Sequence, residues 1–205
     1  MLYSGPKPFA NLGDVFVASS SAKSLYRGFT VGVRKRFSRG FQLEANYVWA
    51  KDMDDDSNER DPFTDRAFNR FDFSRDYSFS DRDIRHRFNF FAYMELPGGL
   101  EVTPRIQAHT AQPITPSPRV LNNVDRGRNT LRKNNGYFSF DWRVQRPFKF
   151  GERYQLIPII EMFNTFNNPN FVNPLVTPPL FNFDGFLRQG IGDPRQLQLA
   201  LKFKF

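Results

Sequence analysis

The sequence contains no cysteine, which excludes a disulfide framework, a thiolate metal site and a cysteine nucleophile. Histidine occurs only at His86 and His109, too few for a histidine-rich metal cage. No apolar run approaches the roughly 18 residues that a membrane-spanning helix needs. Aromatic residues are abundant: they form 17% of the 205 residues, and 25 of them are Phe. Such a content argues against a disordered chain.

Recognisable catalytic motifs are also lacking. There is no G-x-S-x-G, no Ser beside either His and no glycine-rich phosphate loop. We therefore expect no enzyme activity and no cofactor. The first residues do not join a basic segment to an apolar stretch of about 7–15 residues, as a secretory signal peptide does. This start fits either a cytoplasmic protein or a piece of a longer chain.

Apolar residues recur at every second position, which is the period of a β-strand. In the last predicted strand the apolar positions are Leu197, Leu199, Leu201, Phe203 and Phe205, and the residues between them are mostly polar. The predicted strands are 25–37, 41–50, 84–96, 100–108, 137–150, 154–163 and 195–205. Each strand would present one apolar and one polar face, so the sequence predicts an all-β fold.

The connections between these strands alternate in length. Short turns are predicted around 38–40, 97–99 and 151–153, and long connections at 50–83, 109–136 and 164–194. A soluble domain rarely carries three such long loops. Short periplasmic turns, long extracellular loops and strands of about ten residues are typical of a transmembrane β-barrel. We therefore predict an antiparallel meander of about seven long strands that forms part of such a barrel.

The polar faces of these strands would then line the barrel lumen. Their charges are mixed in sign, so we expect them to pair with one another. The predicted lumen-facing residues are Glu44, Asn46, Arg85, Arg87, Glu95, Glu101, Arg105, Asp141, Arg143 and Glu161.

The strand count adds an expectation about the extent of the chain. A bacterial barrel has an even number of strands, whereas seven are predicted here. This indicates the C-terminal piece of a larger barrel, or a chain that pairs with another. Residues 1–24 would be an incomplete extracellular loop, and 25–205 a partial barrel whose C-terminus is periplasmic.

Four stretches carry a resemblance to a known family: Ser24–Asp52, Asp83–Phe88 (DIRHRF), Gly127–Arg132 (GRNTLR) and Arg153–Phe171 with its EMFNTFNNPNF segment. Over roughly residues 22–205 the chain resembles the C-terminal barrel segment of Oar-like TonB-dependent outer-membrane receptors, the type with a carboxypeptidase-regulatory-like domain. The resemblance implies the last third of a barrel for energised uptake of a bulky ligand, or for export or adhesion, that is not active alone.

The resemblance also implies partners. They are outer-membrane lipid, the barrel-insertion machinery, and the N-terminal strands and plug of a parent receptor, which this sequence lacks. The plug would offer a second pairing partner for the lumen-facing residues, and TonB would act only through it. The terminal strand Leu197–Phe205, with its aromatic end, looks like a barrel assembly signal read by strand addition. The simpler alternative is one more lipid-facing strand.

Two loop segments are candidate binding sites. Asp52, Asp54, Asp56 and Asn58 have the alternate spacing of a calcium loop, but Ser57 and Phe63 stand where such a loop has Gly and Glu. A solvated surface loop is therefore the favoured interpretation, and metal binding is a weak alternative.

The second segment interleaves arginine with phenylalanine. The candidate ligand contacts are Arg66, Phe68, Arg70, Phe71 and Phe73. A self-packed external loop is the alternative, and arginine stacked with aromatics can also bind single-stranded nucleic acid, a partner that we do not expect here. The net charge of +8 keeps open a soluble basic all-β protein that binds nucleic acid or polyanions. A non-functional gene fragment is the third possibility.

Overall fold

The computed structural model describes residues 22–55, 72, 74, 76–115, 127–172 and 190–205. The described residues form β-strands joined by turns, and among them no helix is long and apolar enough to cross a membrane. The strands are β1 (Ser24–Ser38), β2 (Phe41–Asp54), β3 (Ser78–Phe79), β4 (His86–Leu96), β5 (Leu100–His109), β6 (Pro113–Ile114), β7 (Leu131–Arg132), β8 (Tyr137–Gln145), β9 (Phe148–Phe150), β10 (Tyr154–Phe163), β11 (Phe171–Val172), β12 (Gly190–Ile191) and β13 (Gln196–Lys204).

The long strands form one sheet in the order β1-β2-β4-β5-β8-β10-β13. Short β3 pairs with β2, short β9 pairs with β10, and β6-β7 and β11-β12 form two small separate sheets. The antiparallel meander of seven long strands predicted from the sequence is confirmed. Within the described residues the sheet is not closed, because β1 and β13 are its two edges.

The strand register keeps the apolar residues on one face of this sheet. One row of directly opposed residues crosses six strands: Phe41, Met94, Val102, Val144, Ile160 and Leu199. A second row contains Tyr47, Phe88, Ala108 and Phe138. A slip of one residue in any pair would move that strand's apolar residues to the other face, so the hydrophobic pattern itself specifies the register.

The turn between β1 and β2 is a two-residue hairpin turn. Arg39 and Gly40 have φ values of 53° and 80°, and positive φ at both positions is the geometry of a type I′ turn. The alternation of β1 shifts just before this turn. Arg34 lies near Glu44 on the polar face, as expected, but the ring of Phe37 packs 5.9 Å from that of Tyr93, also on the polar face. Strict alternation along β1 predicts an apolar-face position for Phe37, and this prediction is wrong because the alternation is broken before the turn.

Three predicted strand boundaries differ by more than one residue in the structure. The segment 137–150 is divided into β8 and β9 at Arg146-Pro147, because proline has no N–H to donate to the ladder. Strand β2 continues to Asp54, since its end pairs with β3. Strand β4 begins at His86 rather than at residue 84, after a turn in which the Asp83 N–H donates to the Ser80 carbonyl.

The described residues group into two compact units. Those within Met1–Tyr26, Asp52–Asp83 and Pro113–Leu131 form what we call the loop unit, and those within Arg27–Lys51, Ile84–Gln112 and Arg132–Phe205 form the sheet unit. The buried hydrophobic residues lie in the sheet unit: Ala50, Ala92, Ile157 and Ile159. The loop unit buries polar residues: Asp54, Asp55, Asp76, Ser80, Asp83, Arg128 and Asn129. The sheet unit buries polar residues as well: Lys133, Asn135, Ser139, Asn164 and Asn170.

Candidate functional site

The apolar face of the sheet is exposed rather than buried in a core. Leu199 is 70% exposed, Phe29 61% and Trp49 54%, and these side chains stand on different strands of the same face. A soluble monomer rarely exposes so extended an apolar surface, because its contact with water is unfavourable. Contact with lipid satisfies such a face, provided that the backbone is hydrogen-bonded between strands.

The terminal strand continues this apolar face. Leu197, Leu199, Leu201 and Phe203 lie on β13 opposite Met162, Ile160, Pro158 and Leu156 of β10. The ring of Phe203 stacks 5.9 Å from Tyr154, and Phe205, 94% exposed, follows the strand. In the described part of the chain no strand pairs with the outer edge of β13. The structure thus presents the predicted assembly residues on an open edge, but their recognition stays a prediction.

The opposite face of the sheet is polar over most of its width. Asn46, Asn89, Gln107 and Ser139 are directly opposed across four strands. A second row contains Glu44, Phe91, Arg105 and Asp141. Nine of the ten predicted lumen-facing residues share this face, including Arg87, Glu95 and Glu101, and only Arg85 lies outside a strand, immediately before β4.

Pairing on the polar face involves both ions and amides. Arg143 lies 3.6 Å from Glu161 and also donates to Gln145, whose amide in turn donates to Glu101. Glu101 and Glu161 are therefore held by neighbours on an adjacent strand, whereas Glu44, Glu95 and Asp141 accept from side chains two positions away on their own strands. Such an arrangement stabilises a sheet.

The loop unit is organised around Arg128. Its guanidinium donates to the carboxylate of Asp54 at 2.8 Å, to the carbonyl of Asp54 at 2.8 Å and to the carbonyl of Asp76 at 3.1 Å. The side chains of Arg128 and Asp54 are 4% and 2% exposed. A buried charge needs a partner and hydrogen bonds, and this geometry supplies both.

Asn129 extends the same polar core. It has φ 53°, and its side-chain amide donates to the Phe79 carbonyl and the Asp81 carboxylate, both at 2.6 Å. Gly127, at φ 84°, precedes the pair. The GRN segment is therefore a turn whose left-handed residues aim the arginine and asparagine into the loop unit. The sequence predicts no role for this segment beyond its part in the family resemblance.

Asp52 is a carboxylate of the loop unit whose pKa departs from its usual value. Asp52 is the twelfth residue of β2. Because a strand needs roughly ten residues to cross a membrane, Asp52 lies outside the part of β2 that could span one. Burial raises the pKa of Asp52, and the neighbouring carboxylates of Asp54 and Asp83 raise it further, while Arg82 opposes them. The backbone N–H of Asp52 donates to the Asp83 carboxylate at 2.8 Å.

The proposed calcium loop is only partly described. Asp56 and Asn58 lie outside the described residues, as do the candidate ligand contacts Arg66, Phe68, Arg70, Phe71 and Phe73. Asp54 directs one carboxylate oxygen to Arg128. In the portion of the chain that the structure describes, no group of three or more His, Asp or Glu could hold a metal ion. Both loop sites stay predictions.

A cluster of asparagines at the end of β10 was not assigned a role from sequence. Asn164, Asn167 and Asn170 have φ values of 47°, 53° and 40°. The Asn170 side chain accepts from the Phe138 N–H at 2.8 Å and donates to the Phe138 carbonyl at 3.0 Å, as a neighbouring strand would. The Asn164 side-chain amide donates to the carbonyls of Asn168 and Asp193. The signal for these contacts is asparagine repeated in a loop, since asparagine tolerates the left-handed region.

An open antiparallel sheet with one lipid-type apolar face and one polar face defines a wall of a membrane β-barrel. Residues 3–103, just under half of the chain, match a family described as outer membrane beta barrel domain. Sequence match and fold together indicate an outer-membrane β-barrel protein that associates with outer-membrane lipid. No curated protein and no solved structure gave a significant match.

Proposed function

We propose that the chain forms the C-terminal wall of the barrel of a TonB-dependent outer-membrane receptor of the Oar-like type. Such a receptor would take up a bulky ligand with energy delivered through TonB, or serve export or adhesion. The wall alone is not active. The observation that supports this best is the six-strand apolar row from Phe41 to Leu199, which suits lipid and would otherwise require a dry core.

On this proposal the two open sheet edges pair with further barrel strands. Unpaired strand edges are unfavourable in lipid, because the backbone groups find no water there. The polar face then lines the lumen and contacts a plug, through which TonB acts. The insertion machinery reads β13, whose last residue Lys204 lies opposite Gln155 near the short turn at Gly151, so that the C-terminus is periplasmic. No catalysis, cofactor or nucleic-acid partner is needed.

Adjacent residues of β13 provide a matched test of lipid contact. Leu199 stands on the apolar face and Gln198, opposite Glu161, on the polar face. Leu199→Asp places a charge against lipid, which is costly, whereas Gln198→Asp does not. We expect Leu199→Asp to lower recovery of the protein in outer-membrane fractions several-fold and Gln198→Asp to leave it near wild type. Equal recovery of both variants, or a wild-type chain soluble without detergent, would support the soluble basic alternative instead.

The receptor assignment needs a separate test at the other edge. A photo-crosslinking residue in place of Thr30 on β1 should capture the strand that closes the barrel. We expect the adduct to contain another barrel strand of a plug-bearing receptor, identified by mass spectrometry of the outer membrane. An adduct with a barrel that has no plug would retain the outer-membrane location and exclude the TonB-dependent type.

A further inference from the structure

Charges in the long strands are sorted by face. Within the sheet unit every Asp and Glu of the described long strands stands on the polar face: Glu44, Glu95, Glu101, Asp141 and Glu161. The apolar face carries cations instead, toward the strand ends: Arg27, Lys35 and Lys51, with Arg146 directly after β8. A surface with cations and no carboxylates at its margins attracts anions.

The two cations nearest the short turns are each seated on an aromatic ring. The Lys35 ammonium lies 3.6 Å from the ring centre of Phe41, and the Arg146 guanidinium 4.9 Å from that of Phe148. Phe41 and Phe148 oppose Met94 and Leu156, so both rings belong to the apolar face. A cation over an aromatic ring is attracted by the electrons of the ring face.

The Lys35 ammonium is fixed in place by the hairpin turn. It donates to the carbonyl and hydroxyl of Ser38, both at 2.8 Å, and to the Phe41 carbonyl at 2.9 Å. These contacts replace water around the ammonium and hold its charge where the apolar face ends. At Arg146 the backbone N–H donates to the Pro158 carbonyl at 3.3 Å, which keeps the residue in the register of β10.

We propose that the Lys35–Phe41 and Arg146–Phe148 pairs bind the phosphates of anionic phospholipid headgroups at the short-turn margin of the apolar face. The inference rests on the proposed membrane location and adds the lipid class. The aromatic ring lies at the level where hydrocarbon meets headgroup, and the cation lies beside the phosphate. The absence of acidic side chains from this face of the described strands removes the repulsion that a phosphate would otherwise meet.

Vesicle partitioning tests the proposal. The full chain is incorporated into vesicles of phosphatidylcholine alone, or of phosphatidylcholine with about a quarter phosphatidylglycerol, and the bound fraction is measured by flotation. We expect wild type to prefer the anionic vesicles and Lys35→Met with Arg146→Met to lose that preference. A surface cation near an anionic membrane contributes a factor of about five, so two give roughly 25-fold.

A second double variant separates a local site from net charge. Lys202→Met with Lys204→Met removes the same charge from β13, on the polar face opposite Ile157 and Gln155. It should keep the preference, and Lys35→Arg with Arg146→Lys should keep it too. Equal losses in both methionine doubles would overturn the site in favour of bulk charge. Insertion into both vesicles with no preference in wild type also overturns it, whereas a wild-type chain that inserts into neither vesicle and stays soluble without detergent counts against the proposed function itself.

Discussion

The guanidinium of Arg128 and the carboxylate of Asp54 meet at 2.8 Å although 74 positions separate them in the chain. Both side chains are almost completely buried, and the same guanidinium reaches the carbonyl of Asp76. Three segments of the loop unit therefore converge on one cation. Most of the buried residues described in this unit are polar, and this cation with its three acceptors forms part of the unit's interior.

Removing the arginine should destabilise the loop unit strongly. Arg128→Met leaves the Asp54 carboxylate buried without its partner, which costs about 3–5 kcal/mol. We expect faster hydrogen exchange at residues 76–81 and unchanged exchange in β4 and β5. Arg128→Lys keeps the charge but loses the fork geometry, so an intermediate effect is expected. Exposed Arg132, four residues on, is the matched control, and an equal effect of Arg132→Met would contradict a specific role for Arg128.

The contribution of Asp52 to the stability of the loop unit should be larger in acid than at neutral pH. Burial and neighbouring carboxylates raise its pKa in the folded protein above the ordinary 3.8. Its contribution to stability is thus fully present below that ordinary pKa and is lost as pH rises through the raised value. Asp52→Asn should increase exchange protection of the loop unit near pH 7, with a difference that shrinks toward pH 4. Reduced protection of Asp52→Asn at neutral pH would show that the carboxylate is stabilising instead.

The Asn170 side chain should stabilise the start of β8. Its loss removes two hydrogen bonds to Phe138, each with a net value of about 0.5–1.5 kcal/mol. Asn170→Gly loses these bonds but accepts φ 40°, whereas Asn170→Ala loses them and is strained as well. Denaturant unfolding in micelles should rank wild type above the glycine variant and the glycine variant above alanine. If glycine matches wild type, the backbone angle matters and the hydrogen bonds do not.

The β1–β2 turn offers a stabilising substitution. Arg39 occupies a left-handed position of a type I′ turn, where asparagine before glycine is the preferred pair. Arg39→Asn should raise the free energy of unfolding by roughly 0.5–1 kcal/mol, as other substitutions that match a required backbone angle do. Gly40→Ala should lower it, because φ is 80° and the new Cβ would lie 3.2 Å from the Glu95 carbonyl oxygen. A destabilised Arg39→Asn variant would mean that the arginine side chain itself supports the turn.

Strand existence and order could be predicted from the sequence because both follow from a strict alternation. In β13 and β5 apolar and polar residues alternate, so the face on which each side chain lies can be predicted. The tight turns at Gly98 and Gly151 allow only neighbouring strands to pair. The break in the alternation of β1 could not be predicted in this way, because the residue types of the strand do not mark the position at which it occurs. Strict alternation would place Phe37 on the apolar face, whereas its ring packs against that of Tyr93.

The polar core of the loop unit was beyond sequence reasoning for a different reason. Arg128, Asp54 and Asp76 are ordinary surface residues by type, and no periodicity links them. Their burial depends on a turn at Gly127 and Asn129 that brings distant segments together. The charges of these side chains predict exposure to solvent, whereas the structure shows that Arg128 and Asp54 form a buried ion pair.

The lateral order of the long strands repeats their order in the chain, with each connection leading to the adjacent strand. No segment of the large sheet has to cross another to reach its place. Duplication or deletion of one hairpin at either edge would therefore leave every other pairing intact. A sheet of this kind can change its width in evolution by whole hairpins while the residues of the remaining strands stay the same.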